Sequence, residues 1–411
     1  MKIILLLMIV IFLTGCSSET HVHPIEEEGN QYDFSFVDSY IEDKQIIFLG
    51  ESTHTAKEFT ALKAELVKYL HEQHDFSVLA MESGKNEIDF LNTKWEEFDD
   101  RFMLENMILA AWHTSDMENL VAYIRDSQLK INGLDPLPVT GNVRRVERME
   151  LQQFLKSLIE PMDEGLADEF IELERDFIDY MQILPFEHEN KADLQKAQEM
   201  KGKYETFLNE LGNFEIEEHV IQFVQGRISV LETFTAEFLA EYDIDHVYQD
   251  YFSRRDLTMF HELQALLEQN PDEKIIVWAH NGHVQKNFDA IEQTNEGLAM
   301  DYSPPPLVLG TLANEKLGDI SYYVGFYFNQ GKILLDGVEK IDPKKNANEL
   351  EYVLSEYGHE RLFVDLNEYD ADWVNESITA HDNGLWDYKM VSNEQYDALI
   401  FIDTVTPSSW R

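Results

Sequence analysis

The segment Ile46–Phe59, IIFLGESTHTAKEF, decides how the rest of the chain is organised. Its first four residues form a continuous apolar run, which is typical of a strand buried on both faces of a parallel sheet. Gly50 ends the run, and the hydroxyl residues that follow favour a helix N-terminus near Thr55. Glu51 and His54 therefore fall outside the carboxyl end of a strand, where ligands of open α/β sheets bind.

Three further apolar runs end in the same way, and they cover residues 76–81, 129–134 and 274–278. The ionisable residues that follow these runs are Glu82, Asp135, His280 and His283. Because parallel strands place their carboxyl ends side by side, we expect all of these residues to share one cleft with Glu51 and His54. The predicted fold class is α/β, with a mostly parallel sheet, flanking helices and a large helical insertion or subdomain.

The insertion is predicted over residues 142–243, where the strand pattern disappears and apolar residues recur at helical spacing in an acidic background. It is expected to pack against the core, and its rim is free to form a wall or lid over the strand ends. The α/β catalytic core then comprises residues 36–141 and 244–411.

The N-terminus, residues 1–16, has the form of a bacterial lipoprotein signal peptide: one lysine, an apolar core too short for a committed membrane span, and the sequence Leu-Thr-Gly-Cys. Cys16 is the only cysteine, so it is predicted to carry a lipid rather than a disulfide. Residues 17–35 are expected to be a flexible tether in which His21 and His23 are solvated. The predicted location is the extracytoplasmic face of the cell membrane.

The formal net charge of the chain is −47. Such an acidic surface repels phosphate backbones and anionic lipid head groups, which argues against a nucleic-acid partner. We interpret the charge as a solubilising surface, with membrane contact only through the lipid anchor. The sequence gives no indication of the oligomeric state.

Five segments resemble the erythromycin esterase family of hydrolases, and they are GESTHTAKEF at 50–59, MES at 81–83, GLD at 133–135, RRD at 254–256 and VWAHNGHV at 277–284. Their order and separations match that family from about residue 40 to 405. The resemblance implies hydrolysis of an ester without a cofactor. In the type members the ester is the lactone of a macrolide antibiotic, so antibiotic resistance is the implied biological role.

A histidine-activated water is the expected nucleophile, because the chain has no G-x-S-x-G motif and its cysteine is assigned to lipidation. Histidine titrates near neutral pH and can take a proton from water. By matching positions, the resemblance implies that His54 is the general base and that Glu51 or Glu82 orients its ring.

The resemblance also implies that Arg255 polarises the ester carbonyl or holds the oxyanion, aided by His280 and His283. The neighbouring Arg254 could take this place on sequence alone. Three further residues are expected to bind the substrate, namely Lys63, Asp135 and Asn281. Lys63 stands where family members commonly carry arginine, and it lacks the planar fork of a guanidinium.

Two other hypotheses use the same residues differently. In the first, zinc or manganese activates the water, and the metal ligands are Glu51, His54, His280 and His283. In the second, the protein is a non-catalytic surface lipoprotein whose cleft binds a small hydrophobic molecule. Metal analysis separates the first hypothesis from a metal-independent hydrolase, and substitution of His54 separates the second.

Overall fold

The structure is a computed structural model, and it describes residues 21–29, 31–139, 149–183, 191–235, 238, 251–294, 305–335 and 337–408. The predicted signal peptide, Cys16 and parts of the predicted tether and insertion lie outside these ranges. No helix within them combines the length and the apolar character needed to cross a bilayer.

The strands of the described chain are β1 (Val22–Pro24), β2 (Glu27–Glu28), β3 (Gln31–Tyr32), β4 (Ile46–Leu49), β5 (Phe76–Gly84), β6 (Lys130–Asp135), β7 (Lys274–Trp278), β8 (Glu292–Gln293), β9 (Ser321–Leu334), β10 (Val338–Ile341), β11 (Arg361–Asp365), β12 (Ser377–Asp382), β13 (Trp386–Val391) and β14 (Ala398–Val405). The helices are α1 (Asp38–Ile41), α2 (Lys57–His74), α3 (Lys85–Leu91), α4 (Asp100–Met107), α5 (Ser115–Asp126), α6 (Glu150–Ile159), α7 (Glu164–Ile183), α8 (Lys191–Leu211), α9 (Glu218–Thr233), α10 (Tyr251–Gln269), α11 (Asn281–Val284), α12 (Leu309–Leu317), α13 (Leu350–Ser355), α14 (Asp372–Asn375) and α15 (Ser392–Gln395).

The main sheet has the strand order β1-β11-β14-β9-β4-β7-β5-β6, and β10 pairs with β9. The six strands from β14 to β6 are parallel neighbours, whereas β1, β11 and β10 are joined to the sheet by antiparallel pairing. The predicted α/β fold with a mostly parallel sheet and flanking helices is therefore confirmed.

Strand β4 lies inside this sheet and is buried on both faces, as its continuous apolar run predicts. Ile47 and Leu49 pack into the core on one face, and Ile46 and Phe48 pack into the core on the other. The strand therefore fixes the position of the turn that follows it.

Helices α6 to α9 occupy the described chain between residues 149 and 235, a stretch that contributes no strand to the sheet. Their buried side chains, which include Leu155, Phe170, Phe207 and Phe223, belong to the same apolar core as one face of the sheet. These helices thus form a packing layer that is continuous with the core.

The expectation of a flexible tether is wrong for the described residues before 36. Strand β1 pairs with β11 at one edge of the main sheet. Ile25 and Phe34 are buried in the core, with 3% and 2% of their surfaces exposed. His21 stacks on Tyr369 at 4.8 Å between ring centroids, and His23 lies 3.1 Å from the Tyr40 hydroxyl, so neither is a solvated linker residue.

Candidate active site

The structure brings the predicted strand-end residues together. Strands β4, β7, β5 and β6 are adjacent in that order, and their carboxyl ends meet at one edge of the sheet. We use the term strand-end site for the residues that these ends and helix α10 supply, namely Glu51, His54, Glu82, Asp135, Arg255, His280 and His283. A small sheet of β12, β13 and β8 contributes one more residue to it, as described below.

His54 is oriented by Glu51, which settles the choice between the two glutamates. Its Nδ1 lies 2.8 Å from Glu51 Oε1, and 26% of the His54 side chain remains exposed. Glu51 is fully buried and also accepts hydrogen bonds from Lys63 at 2.9 Å and the Trp112 indole at 2.5 Å. Burial raises the pKa of Glu51, but the charges and hydrogen bonds of Lys63 and His54 together outweigh it, so the net pKa is lowered and the carboxylate is ionised at neutral pH.

Lys63 supports Glu51 and cannot contact a substrate, contrary to our expectation, because its side chain is fully buried. Its ammonium lies 4.3 Å from the centre of the Trp278 ring. Burial lowers the pKa of Lys63 to about 8, although the Glu51 carboxylate acts in the opposite direction. This lysine is therefore a buried cation that holds the orienting carboxylate.

Arg255 ties two strand ends together. Its Nε and Nη2 donate to Asp135 at 3.1 and 2.6 Å, and Nη2 also donates to Glu82 at 2.6 Å. Only 9% of the side chain is exposed. Burial lowers the pKa of Arg255, but the charges of Asp135 and Glu82 raise it well above its ordinary value. With Nε and Nη2 engaged by these carboxylates, Arg255 holds Glu82 and Asp135 in position.

Arg254 is placed elsewhere, which resolves the ambiguity between the two arginines. It is buried and donates to the backbone oxygens of Thr233 at 2.9 Å and Thr235 at 2.8 Å, at the end of α9. Arg254 therefore joins α10 to the helical region, whereas Arg255 belongs to the strand-end site.

His283 lies between two carboxylates. Its Nδ1 is 2.8 Å from Asp256, and its Nε2 is 3.2 Å from Glu82. Burial lowers the pKa of His283, but these two carboxylates raise it to about 10, so the ring is an imidazolium at neutral pH. Its 3.1 Å approach to Arg255 Nη1 is therefore a contact between two donors, offset by Glu82 Oε1, which lies close to both.

His280 faces His54, with 5.0 Å between the ring centroids. Its backbone N–H donates to Glu82 at 2.8 Å, and its Nε2 lies 3.0 Å from Asp382 Oδ1. Burial lowers the pKa of His280, but the Asp382 and Glu82 carboxylates together outweigh it, so the net pKa is raised. The exposed fraction of the His280 side chain is 19%, compared with 11% for His283, so His280 is more accessible to a ligand.

Asn281 and Asp135, which we expected to bind the substrate, are both engaged by protein groups, and Asn281 also lines a cavity described below. The Asn281 amide donates to Phe326 O at 3.1 Å and its backbone N–H donates to Glu51 O at 2.8 Å. Gly50 makes this packing possible, because a Cβ there would lie only 2.2 Å from Asn281 Oδ1. Asp135 is 1% exposed and is occupied by Arg255.

Three residues of the site were missed by sequence reasoning. Asp256 belongs to the RRD segment that we used for the family resemblance, but the sequence does not predict its contact with His283. Trp112 gave no signal. Asp382 arrives at the end of β12, in a turn whose Asn383 N–H donates to Ser52 O at 2.7 Å. This long-range contact between the small sheet and the β4 turn leaves no local pattern.

The four residues proposed as metal ligands are arranged for other contacts. In the described chain, no three His, Cys, Asp or Glu side chains are placed to hold a metal ion together. Both Glu51 oxygens accept from protein donors, and an ammonium lies against one of them. The geometry thus supports a histidine and carboxylate site, and the metal-dependent alternative has no support from it.

Comparison with known proteins gives a consistent family. The family model of erythromycin esterase matches residues 71–405. The chain is 27% identical to "Putative hydrolase YbfO" of Bacillus subtilis (strain 168) over 95% of this chain and 90% of that protein. It is 25% identical to erythromycin esterase type I of Escherichia coli over 67% of this chain and 70% of that protein.

A solved structure shares the fold. The open conformation of a histidine-to-asparagine mutant of the erythromycin esterase EreC superimposes with a TM-score of 0.59 and 17% identity. The match covers 94% of this chain and 98% of that chain.

Proposed function

The chain belongs to the erythromycin esterase family, whose membership indicates a hydrolase, and from that premise we propose that it hydrolyses a carboxylic ester with water activated by His54. One observation carries the proposal. The His54 ring, oriented by an ionised buried carboxylate, faces the His280 ring at 5.0 Å at the carboxyl edge of the sheet. Two imidazoles in different environments are a usual arrangement for a base and an acid.

The first step is removal of a proton from water. With Nδ1 of His54 engaged by Glu51, Nε2 is the ring nitrogen left to accept that proton. The hydroxide attacks the ester carbonyl carbon and forms a tetrahedral intermediate. The Glu51 carboxylate stabilises the imidazolium that His54 becomes.

The second step is expulsion of the alcohol. The bond between the carbonyl carbon and the alcohol oxygen breaks, and that oxygen takes a proton from His280. Asp382 raises the pKa of His280 and so favours its protonated form. The products are a carboxylic acid and an alcohol. His54 then loses the proton it gained and His280 regains the one it gave, by exchange with solvent or by transfer from His54 to His280, which returns the site to its initial state.

The buried network behind the two histidines fixes their geometry. Glu82 accepts the His280 backbone N–H, and Glu82 is held in turn by Arg255 and His283. Burial raises the pKa of Glu82, but these two cations lower it well below its ordinary value. An anchored carboxylate of this kind keeps the turn after β7 in one position, which general acid catalysis requires.

A macrolide lactone is our proposed candidate among the possible esters. The support is the family and the similarity to erythromycin esterase type I. The test is to incubate the full-length protein with macrolides and simple esters and to analyse the products by mass spectrometry. The expected product carries the mass of one added water.

The decisive variant is His54→Ala, for which we expect a loss of about 10²–10⁴ in kcat with the fold retained by circular dichroism. The matched control is His74→Ala. His74 also pairs with a carboxylate, Asp38, at 2.8 Å, but it lies at the far end of α2. Unchanged activity in the His54 variant would overturn the proposal, and the absence of any hydrolysed ester would favour a binding protein.

We also propose that the protein is anchored to the extracytoplasmic face of the membrane through a lipid on Cys16. The support is the sequence Leu-Thr-Gly-Cys after a short apolar core. Metabolic labelling with a fatty acid should mark the wild type and leave Cys16→Ser unlabelled. Equal labelling of both proteins would contradict the anchor.

A further inference from the structure

A cavity of about 280 Å³ lies against the strand-end site. His280 and His283 line one of its walls. The small sheet of β8, β12 and β13 contributes another wall, because Asp382 ends β12 and the first residue of β13 also lines the cavity. A ligand in this space therefore touches the imidazole that we propose as the general acid.

The remaining walls are largely apolar and aromatic. They come from four separate parts of the chain and include Phe252, Phe288, Ile291, Val308, Trp386 and Tyr388. We call this space the aromatic cavity. Concave sites with apolar walls and a few convergent polar groups are typical of small-molecule binding.

The polar groups among these walls are engaged with other protein groups. The Tyr388 hydroxyl lies 2.6 Å from the Tyr327 hydroxyl and 3.4 Å from Gln285 Nε2. Asp256 is occupied by His283 and by the backbone N–H of Leu309 at 2.9 Å. Away from His280 and Asp382, the cavity thus offers ring faces and aliphatic groups to its occupant.

We propose that the aromatic cavity binds the alcohol side of the ester, so that preferred substrates, lactones included, carry a compact aryl or branched alkyl group on the carbon bonded to the ester oxygen. This inference rests on the proposed function, in which His280 protonates the departing alcohol oxygen. Because His280 lines the cavity, the carbon group attached to that oxygen points into it. The volume lies at the small end of ligand pockets, which range from about 300 to 1,000 Å³, and is sufficient for one such group.

Two isomeric esters test the direction of binding. Benzyl acetate carries its ring on the alcohol side, and methyl phenylacetate carries the same ring on the acyl side. For the full-length wild type we expect kcat/KM to be about tenfold higher for benzyl acetate. Equal values, or a preference for methyl phenylacetate, would overturn the inference.

The variant Trp386→Ala should remove this preference by lowering kcat/KM for benzyl acetate about tenfold, so that the two isomeric esters become equivalent substrates. Leu385→Ala is the matched control, because Leu385 is the neighbouring residue and is exposed. Ile291→Trp provides a second variant in case the first does not fold. It narrows the cavity at a half-exposed position and should also depress hydrolysis of benzyl acetate selectively.

Binding of 4-phenylbutan-2-one separates this inference from the proposed function. In this ketone a methylene replaces the ester oxygen of benzyl acetate, so calorimetry measures binding without reaction. Tight binding that is weakened by Trp386→Ala, with no ester hydrolysed, would retain the cavity and reject the hydrolase. Ester hydrolysis that is unaffected by both cavity variants would retain the hydrolase and reject the cavity.

Discussion

Two buried arginines of this protein make similar ion pairs in very different surroundings. Arg255 in the strand-end site lies 2.6 Å from both Glu82 and Asp135. Arg227 in the helical region lies 2.7 Å from Glu87 and 2.8 Å from Glu174. Each guanidinium is almost entirely removed from water and is balanced by two carboxylates.

The difference lies in what surrounds each pair. Arg227 is enclosed by the rings of Phe177 and Phe223, at 4.6 and 4.5 Å, and Tyr204 donates to Glu174 at 2.8 Å. The carboxylates around Arg255 instead extend to two histidines that line a cavity. Burial of an ion pair is therefore a poor marker of function, and the informative feature is its connection to partly exposed imidazoles.

The largest expected effects come from replacing each arginine with methionine. Both Arg255→Met and Arg227→Met leave buried carboxylates uncompensated, so each should lower the free energy of unfolding by about 3–5 kcal/mol. Only Arg255→Met should also reduce kcat of the folded protein, by about 100-fold, because it displaces Glu82. Denaturant titration and activity per folded molecule measure the two effects. Loss of catalysis in folded Arg227→Met would contradict the conclusion that only the Arg255 ion pair supports the active site.

The pH dependence of stability should differ between the two regions. The pKa of His283 is about 10 in the folded protein and 6.5 as the ordinary value. Its contribution to stability is thus complete below pH 6.5 and is lost as the pH rises toward 10. Between pH 6.5 and 8 the loss should be about 2 kcal/mol.

Above pH 8 a second group opposes this loss. The pKa of Lys63 falls from 10.5 to about 8 on folding, so its contribution increases with pH between those values. Denaturation across pH 6–10 should show a steep slope below pH 8 that is retained in Arg227→Met and reduced in His283→Gln. An equal slope in all three proteins would show that His283 is not charged by its carboxylates.

A smaller effect is expected for Asp382→Asn, which removes the charge that favours protonated His280. We expect about a tenfold decrease in kcat and a shift of the alkaline limb of the pH profile to lower pH. Asp319→Asn is the control, because Asp319 is exposed and precedes the amino end of β9, away from the carboxyl edge. An unshifted alkaline limb would mean that Asp382 does not act through His280.

The smallest expected effect is that of chelation. Dialysis against EDTA should leave activity unchanged, because the site is built from carboxylates paired with protein cations and histidines. Loss of activity that zinc or manganese restores would revive the metal-dependent alternative.

The strand ends were predictable because strands buried on both faces have continuous apolar runs that stop abruptly. Strand β7 was predicted with its observed bounds, and Glu51, Glu82 and His280 followed from where such runs end. Helix α2 begins at Lys57, two residues later than expected, after Ala56, which provides no side-chain cap. The hydroxyl residues before it were therefore a misleading signal.

Contacts set by tertiary packing could not be predicted. Asp382 reaches His280 only because the β12–β13 turn packs on the β4 turn, and Lys63 is buried only because Glu51 and Trp278 surround it. Strand β1 has three residues, too few to show an alternating or continuous pattern. The residues that flank β1 in sequence are mostly polar, which favoured the prediction of a tether. In the structure, pairing with β11 makes β1 the edge strand of the main sheet.

The pairing of β1 with β11 limits how the protein can stand on a cell. If Cys16 bears a lipid, five residues lie between it and Val22, and these six steps of the chain can span at most about 20 Å. The folded body would then rest beside the bilayer instead of on a stalk. A protease that releases it intact must cut before His21, because a cut beyond Pro24 would strip β11 of its neighbour and leave a bare, aggregation-prone edge.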